Sequence, residues 1–217
     1  MMGTLSKSFG AAGGYVAGSR ALIERLRLEC HDFLYAESIA PPVLAGVIAG
    51  MMSLMEPSDP PRDINSSESG EVGAPPLPDW LQLSTYPNGQ KHLQRLAFNC
   101  RYLARGLRKL GFMVPGSDDS PVVCVLVFNP GKMAMFSRMM LERRIAIVVI
   151  GFPATPFLLG RIRFCLSASH SKADVDTLLR ACNELGEVLG IKYGLVPKER
   201  WSVDDVVLRA AQLVDMK

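Results

Sequence analysis

One lysine near the start of the chain stands in a glycine-rich loop among hydroxyl side chains. Residues 3–10 read GTLSKSFG, so the hydroxyls of Thr4, Ser6 and Ser8 flank Lys7. Glycines let backbone N–H groups approach an anion closely, and hydroxyls add further hydrogen-bond donors. The phosphate loop of ATPases is excluded, because that motif has a glycine directly before its Lys-Ser pair, where this chain has Ser6.

The same residue types suit a lysine that forms a Schiff base while neighbouring hydroxyls hold a phosphate. A pyridoxal phosphate cofactor requires this combination. The alternative is a flexible surface loop with a solvated lysine, since short motifs also match by chance. On the pattern alone, both interpretations stay open.

Composition places the chain among ordinary globular proteins. It has 217 residues, of which 48% are apolar and 21% charged, a length that allows one large or two small domains. The net charge of +3 gives no electrostatic case for nucleic-acid binding. The cysteines and histidines are scattered, so neither a disulfide framework nor a metal site is predicted. Residues 38–55 and 145–160 lack charge, but both fall short of the roughly 20 apolar residues of a membrane span.

Hydrophobic spacing predicts an α/β arrangement in the second half of the chain. Ser171 and Asp174 form a capping box that predicts the start of a helix, and Gly190 ends it. The order from residue 92 is α-β-α-β-β-α, which indicates a small sheet with helices packed on it. Predicted helices cover residues 20–29, 43–55, 92–110, 132–144 and 171–189, with one more after Ser202, and predicted strands cover 15–17, 122–128, 145–150 and 162–166.

The helix at 43–55 has almost no polar face, so we expect it to be buried. The segment 57–91 holds seven of the fifteen prolines, which predicts a partly disordered surface insertion with Trp80 docking one short piece. Residues 1–56 have too few strands for a sheet of their own. We therefore expect a C-terminal fragment, or a gene product with a late start, whose larger domain begins before Met1.

Several segments resemble the α-oxoamine synthases, a family of fold-type-I pyridoxal-phosphate enzymes. GTLSKSFGAAGGYVAG resembles the lysine loop of the family. The later segments YAESIAPPV, DDSPVV, GFPATP and RIRFCLSASH resemble, in matching order, the lysine-bearing subunit of a eukaryotic member. That member joins L-serine to a long-chain acyl-CoA in the first step of sphingolipid synthesis.

The resemblance implies the C-terminal part of a PLP-dependent transferase of fold type I, in the α/β class. Residues 1–56 would end the large cofactor-binding domain and carry the lysine loop. Residues 92–193 would form the small C-terminal α/β domain, and residues 194–217 a tail with a short helix. The resemblance covers most of residues 3–193 outside the insertion.

The resemblance also implies roles for single residues. Lys7 would hold pyridoxal 5′-phosphate and act as the acid and base at the substrate Cα. Thr4 and Ser6 would bond the cofactor phosphate. Arg163 would bind the substrate carboxylate through a bidentate guanidinium. Thr155, in the Pro-Ala-Thr-Pro turn, would line the active-site entrance near that carboxylate.

Each of these roles has a simpler alternative. Arg163 could be a paired surface charge on an edge strand, and Arg161 would share its face in a strand. Glu37 stands where the family has threonine or serine near the cofactor phosphate of the neighbouring subunit. A carboxylate there would repel a phosphate.

The resemblance further implies partners and a location. The partner would be a homologous, lysine-lacking subunit in a heterodimer, and membrane association would come through that complex. The complex would lie at the cytoplasmic face of the endoplasmic reticulum membrane. Two alternatives remain: a catalytically incomplete fragment that only binds a subunit, or another family member that condenses a different acyl-CoA.

Overall fold

The computed structural model describes residues 1–54, 89–194 and 197–215. The chain divides into two compact units, Met1–Gln90 and Lys91–Lys217. Most of the predicted insertion at 57–91, including the predicted docking of Trp80, lies outside the described residues. The division into four segments therefore stays a prediction.

The first unit pairs a small hairpin with three helices. Strands β1 (Met2–Thr4) and β2 (Gly14–Val16) are antiparallel, and the helices are α1 (Arg20–Glu29), α2 (His31–Tyr35) and α3 (Pro41–Leu54). The limits of α1 agree with the sequence prediction. Ser19 caps this helix, because its side chain accepts the N–H of Leu22 at 3.4 Å. The short elements β1 and α2 were not predicted.

Helix α3 is more exposed than its apolar sequence predicts. Val47 is buried, but Leu44 is 46% exposed and Met51 39%. The expectation that this helix is buried is therefore wrong for the described residues. The helix is apolar on most sides, but other described residues cover only the face that carries Val47. Within the described ranges, no helix combines the length and the hydropathy that a membrane span needs.

The second unit has the predicted α-β-α-β-β-α order, and its α/β fold class is confirmed. The elements in that order are α4 (Gly89–Lys109), β3 (Val122–Leu126), α5 (Pro130–Glu142), β4 (Val148–Ile150), β5 (Arg161–Cys165) and α6 (Lys172–Val188). Two short helices follow, α7 (Val203–Leu208) and α8 (Ala210–Asp215), where the sequence predicted one. The sheet has the order β3-β5-β4, and both pairings are antiparallel.

The core of this unit lies on one face of the sheet. Val123 and Val125 of β3 are buried with Ile162 and Phe164 of β5. Helices supply the other core side chains, which include Leu103 and Leu107 from α4, Met133, Phe136 and Met140 from α5, and Leu179, Cys182 and Leu185 from α6. Because side chains alternate along a strand, the residues between these on β5 point to the opposite face.

The predicted capping box at the start of α6 is confirmed. The Ser171 side chain accepts the N–H of Asp174 at 3.2 Å, and the Asp174 carboxylate accepts the N–H of Ser171 at 2.8 Å. In contrast, β4 begins at Val148, three residues later than predicted. Helix α5 ends at Glu142, and its C-terminal cap extends to Ile145, which donates its N–H to the carbonyl of Met140.

Candidate functional site

The lysine loop connects β1 to β2 and is closed by backbone hydrogen bonds. The N–H of Leu5 donates to the carbonyl of Gly13 at 3.0 Å, and the N–H of Ala11 donates to the carbonyl of Leu5 at 3.1 Å. Leu5 is buried and anchors the loop, whereas Lys7 is exposed. Among the described residues, no side chain bonds the Lys7 amine, so this amine is available to a ligand.

Two hydroxyls meet in the same loop. The oxygens of Thr4 and Ser6 lie 2.8 Å apart, and the N–H of Ser6 donates to the Thr4 hydroxyl at 3.3 Å. Both residues are exposed. The loop therefore offers a lysine amine with two adjacent hydroxyls, a set of groups that fits a phosphate-bearing aldehyde cofactor.

The two arginines of β5 share the face of the sheet opposite the core, as their spacing predicted. In the ladder, Arg163 lies between Cys124 of β3 and Val148 of β4. Arg161 likewise lies between two apolar residues. The Nε atoms of both arginines are buried and have no hydrogen-bond partner among the described residues.

This placement counts against the simpler alternative for Arg163. Strand β5 is the central strand of its sheet, not an edge strand. Within the described part of the chain, neither Arg161 nor Arg163 forms an ion pair. A buried donor without a partner costs free energy, and a charged hydrogen bond with an anion recovers it.

Thr155 lies in the connection between β4 and β5. Its N–H donates to the carbonyl of Gly151 at 3.2 Å, and its residue is 8% exposed. Its hydroxyl is the third buried side-chain polar atom without a partner in the described residues, beside those of Arg161 and Arg163. All three atoms thus belong to one β-hairpin, which concentrates unmet hydrogen-bonding capacity there.

The predicted site residues fall into two groups, each within one unit. Lys7, Thr4 and Ser6 share the loop of the first unit, and Thr155 and Arg163 share the hairpin of the second. Sequence reasoning did not assign a role to Arg161, although its spacing of two residues from Arg163 was the available signal.

Other residues that the sequence raised have simpler surroundings. The Nδ1 atom of His170 accepts the N–H of Ser167 at 3.1 Å, which agrees with a place beside the cap of α6. Glu37 is exposed, and the proposed repulsion of a phosphate by it stays a prediction. Among the described residues, no cluster of three or more His, Cys, Asp or Glu side chains could hold a metal.

The α/β fold, the lysine loop and the hairpin residues are typical of a pyridoxal-phosphate enzyme. Comparison with known families identifies the family. The model of the family "Aminotransferase class I and II" matches residues 1–54 and 71–182. The chain therefore belongs to this family. This agrees with the α/β fold and with the pyridoxal-phosphate resemblance of the motifs.

Curated relatives narrow the similarity further. The chain is 45% identical over 193 residues to serine palmitoyltransferase 2 of Schizosaccharomyces pombe, across 89% of this chain and 28% of the relative. It is 42% identical to serine palmitoyltransferase 2 of Saccharomyces cerevisiae, across 98% of this chain and 34% of the relative. Human serine palmitoyltransferase 3 is 38% identical, across 89% and 30%. The chain spans about a third of the length of these relatives.

Solved structures share the fold. A high-resolution structure of SPT with PLP matches with a TM-score of 0.64 at 24% identity, across 88% of this chain and 40% of that one. Sphingomonas wittichii serine palmitoyltransferase matches with 0.62 at 23% identity, across 88% and 40%. An 8-amino-7-oxononanoate synthase from Francisella tularensis matches with 0.61 at 15% identity, across 88% and 46%. At these identities the likeness concerns the fold alone.

Proposed function

We propose that this chain is part of a PLP-dependent acyltransferase that condenses L-serine with a long-chain acyl-CoA, the first step of sphingolipid synthesis. The observation that carries the proposal is the exposed Lys7 amine in a loop with the paired hydroxyls of Thr4 and Ser6. The names of the curated relatives support the choice of reaction. A solved neighbour that contains PLP supports the choice of cofactor.

The lysine loop fits the cofactor. Lys7 would hold pyridoxal phosphate covalently, and the hydroxyls of Thr4 and Ser6 would donate to its phosphate. When bound, the cofactor supplies an electron sink for charge that develops at the amino-acid Cα. Lys7 removes the Cα proton of serine. The Cα then bonds to the acyl carbon as the coenzyme A thiolate leaves, the serine carboxylate departs as carbon dioxide, and Lys7 returns a proton to the Cα.

The β4–β5 hairpin of the second unit binds the amino-acid substrate. The Arg163 guanidinium binds the serine carboxylate through two parallel hydrogen bonds. This satisfies a donor that otherwise lacks a partner on an apolar sheet face. Thr155 lines the entrance near that carboxylate. Both roles rest on the motif resemblance and on the unpartnered atoms of the hairpin.

The proposed assembly follows the same resemblance. The chain pairs with a homologous subunit that lacks the lysine, and the heterodimer lies at the cytoplasmic face of the endoplasmic reticulum membrane. A second candidate function is a catalytically incomplete module that only binds a subunit. The exposed apolar side chains of α3, among them Leu44, Ile48 and Met51, favour this candidate. A family member with another acyl-CoA substrate would leave the roles of Lys7 and Arg163 unchanged.

Chemical trapping of the cofactor tests the proposal. Borohydride reduction of the full-length protein with pyridoxal phosphate should leave a pyridoxyl group on Lys7, found by peptide mass spectrometry. Lys7→Arg keeps the charge but cannot form a normal Schiff base or shuttle the proton, so serine condensation with palmitoyl-CoA should vanish while the fold persists. Lys132→Arg is the control and should retain both label and turnover.

A pyridoxyl group on Lys91, Lys132 or another lysine would sink the assignment of Lys7. Labelling of Lys7 without any condensation activity would favour the subunit-binding module.

A further inference from the structure

Three helices of the second unit end with the same hydrogen-bond pattern, but one of them uses an unusual residue. Helices α4, α5 and α6 each end in a Schellman motif, in which the residue after the C-cap adopts a left-handed conformation. That residue is Gly111 in α4, with φ 95°, and Gly190 in α6, with φ 58°. In α5 it is Arg144, with φ 61°.

The left-handed conformation of Arg144 is strained, whereas glycine adopts it without strain. A Cβ atom in the left-handed region crowds the following carbonyl, so this region favours glycine. Among the described residues, Arg144 is the one non-glycine residue with a positive φ. Its exposed guanidinium forms no hydrogen bond or ion pair with any described residue. The backbone conformation by itself therefore favours glycine at position 144. Non-glycine residues in strained backbone conformations cluster at active sites and ligand sites.

Arg144 lines a cavity of about 450 Å³ in the second unit. The cavity lies where β4 and β5 stop pairing. The last pair of that ladder joins Val148 to Arg163. Continuing the register would pair Ala146 with Cys165, and both of these residues line the cavity instead.

The polar side of the cavity carries two arginines, a histidine and one carboxylate. The neighbouring Arg143 is held by the Glu184 carboxylate at 2.7 Å, which leaves Arg144 as the arginine available to a ligand. His170 also lines the cavity. Its Nδ1 accepts a backbone N–H, so its Nε2 remains as a donor in the neutral ring.

The carboxylate in the lining belongs to the cap of α6. Asp174 accepts hydrogen bonds at 2.8 Å from both the N–H and the hydroxyl of Ser171. These bonds, with a smaller contribution from His170, lower the pKa of the Asp174 carboxyl, so this residue keeps a negative charge beside the arginines. The remaining wall is largely apolar and includes Ile145, Leu166 and Leu178.

We propose that this cavity binds a small anionic amphiphile. A carboxylate or phosphate head pairs with Arg144 and accepts a hydrogen bond from His170, and a short aliphatic part lies against Ile145, Leu166 and Leu178. The volume lies within the range of roughly 300–1,000 Å³ that small-molecule sites occupy. The site goes beyond the proposed condensation reaction, because its lining contains neither the lysine loop nor Arg163 and Thr155.

The variant Arg144→Gly separates binding from folding, because the two effects have opposite signs. It relieves the left-handed strain, so the melting temperature of the full chain should rise. It also removes the cation, so the affinity for octanoate in isothermal titration calorimetry should fall about two- to fivefold, the effect of losing an exposed ion pair. Octyl phosphate is the second probe and octanol the neutral reference, and the tighter of the two anions identifies the head group.

Gly190→Arg is the matched control. It introduces the same strained residue at the end of α6, so it should lower the melting temperature and leave octanoate binding unchanged. Unchanged octanoate affinity in Arg144→Gly overturns the site. The site is also overturned if the wild-type protein binds neither octanoate nor octyl phosphate more tightly than octanol. A lower melting temperature of Arg144→Gly would show that Arg144 serves the fold, and the argument from strain would fail.

Discussion

Arg161 and Arg163 present the same residue type in nearly the same surroundings, two positions apart on one strand. Both stand on the face opposite the core, both have apolar neighbours across the ladder, and both have a buried Nε without a partner among the described residues. Geometry alone therefore does not rank them as ligands of a carboxylate. Only the motif resemblance selects Arg163, which makes the pair suitable for a matched experiment.

If Arg163 binds the serine carboxylate, Arg163→Ala should weaken serine binding about ten- to a hundredfold, the equivalent of a charged hydrogen bond worth roughly 1.5–3 kcal/mol. Pyridoxal phosphate should still attach to Lys7, because this arginine does not hold the cofactor. Serine titrations that follow the visible absorption of the full-length protein measure the effect. Arg161→Ala is the control and should bind serine normally.

The reverse pattern, with loss of binding in Arg161→Ala alone, would mean that the motif register is wrong by two residues. If neither change matters, the carboxylate is held by other groups, and the role of Arg163 must be abandoned.

Among the elements, helix α6 was predicted together with both of its ends, because the signals for them are local. The capping box of Ser171 and Asp174 is formed by residues three apart, and Gly190 at its end has the left-handed conformation that this position needs. Strand β4 was predicted less well. Ile145 and Ile147 are apolar and partly buried, but Ile145 belongs to the cap of α5 and the ladder of β4 begins only at Val148. A short apolar run indicates that its residues are buried, but it does not show whether they belong to a paired β-strand or to the end of a helix.

Two other features could not come from local sequence. The order β3-β5-β4 depends on pairings between distant residues. The exposure of α3 depends on which other residues pack against it. An apolar pattern indicates only that burial of the helix would be favourable. For the site, the motif predicted Lys7 and Arg163 as candidates, but the unpartnered atoms of the hairpin and the cavity beside Arg144 required coordinates.

The cap of α6 can be tested directly. Ser171→Ala removes the acceptor of the Asp174 N–H and should lower the free energy of unfolding by about 1 kcal/mol, measured by urea denaturation. Ser169→Ala, an exposed serine outside the cap, should change it little. Unfolding free energies that are equal in Ser171→Ala and the wild type would contradict a stabilising role for the cap.

The same cap predicts a pH dependence. Hydrogen bonds from Ser171 lower the pKa of Asp174 in the folded state, so their stabilisation is present above the unfolded-state pKa and is lost as the pH falls through the folded-state value. The deficit of Ser171→Ala should therefore be largest near neutral pH and shrink under acid conditions.

At the scale of the whole molecule, the chain divides into two compact units. A proline-rich segment lies between two strong helical patterns of the sequence. The family model matches residues 1–54 and resumes at residue 71, so residues 55–70 lie outside it. The proline density and this gap support the proposal that residues 57–70 are an insertion that the family fold does not require. The family model matches residues 71–91, which the sequence also assigned to the insertion.

Replacement of residues 57–70 by a short Gly/Ser linker should therefore leave both the melting temperature and serine condensation by the full-length protein nearly unchanged. Loop length contributes little to stability, since each doubling costs only about 0.6 kcal/mol. A longer replacement, residues 57–88, spares helix α4 but also removes Trp80. If only the longer replacement lowers the melting temperature, the part from residue 71 packs against the fold and Trp80→Ala should reproduce the loss. A loss already with the shorter one would refute the insertion.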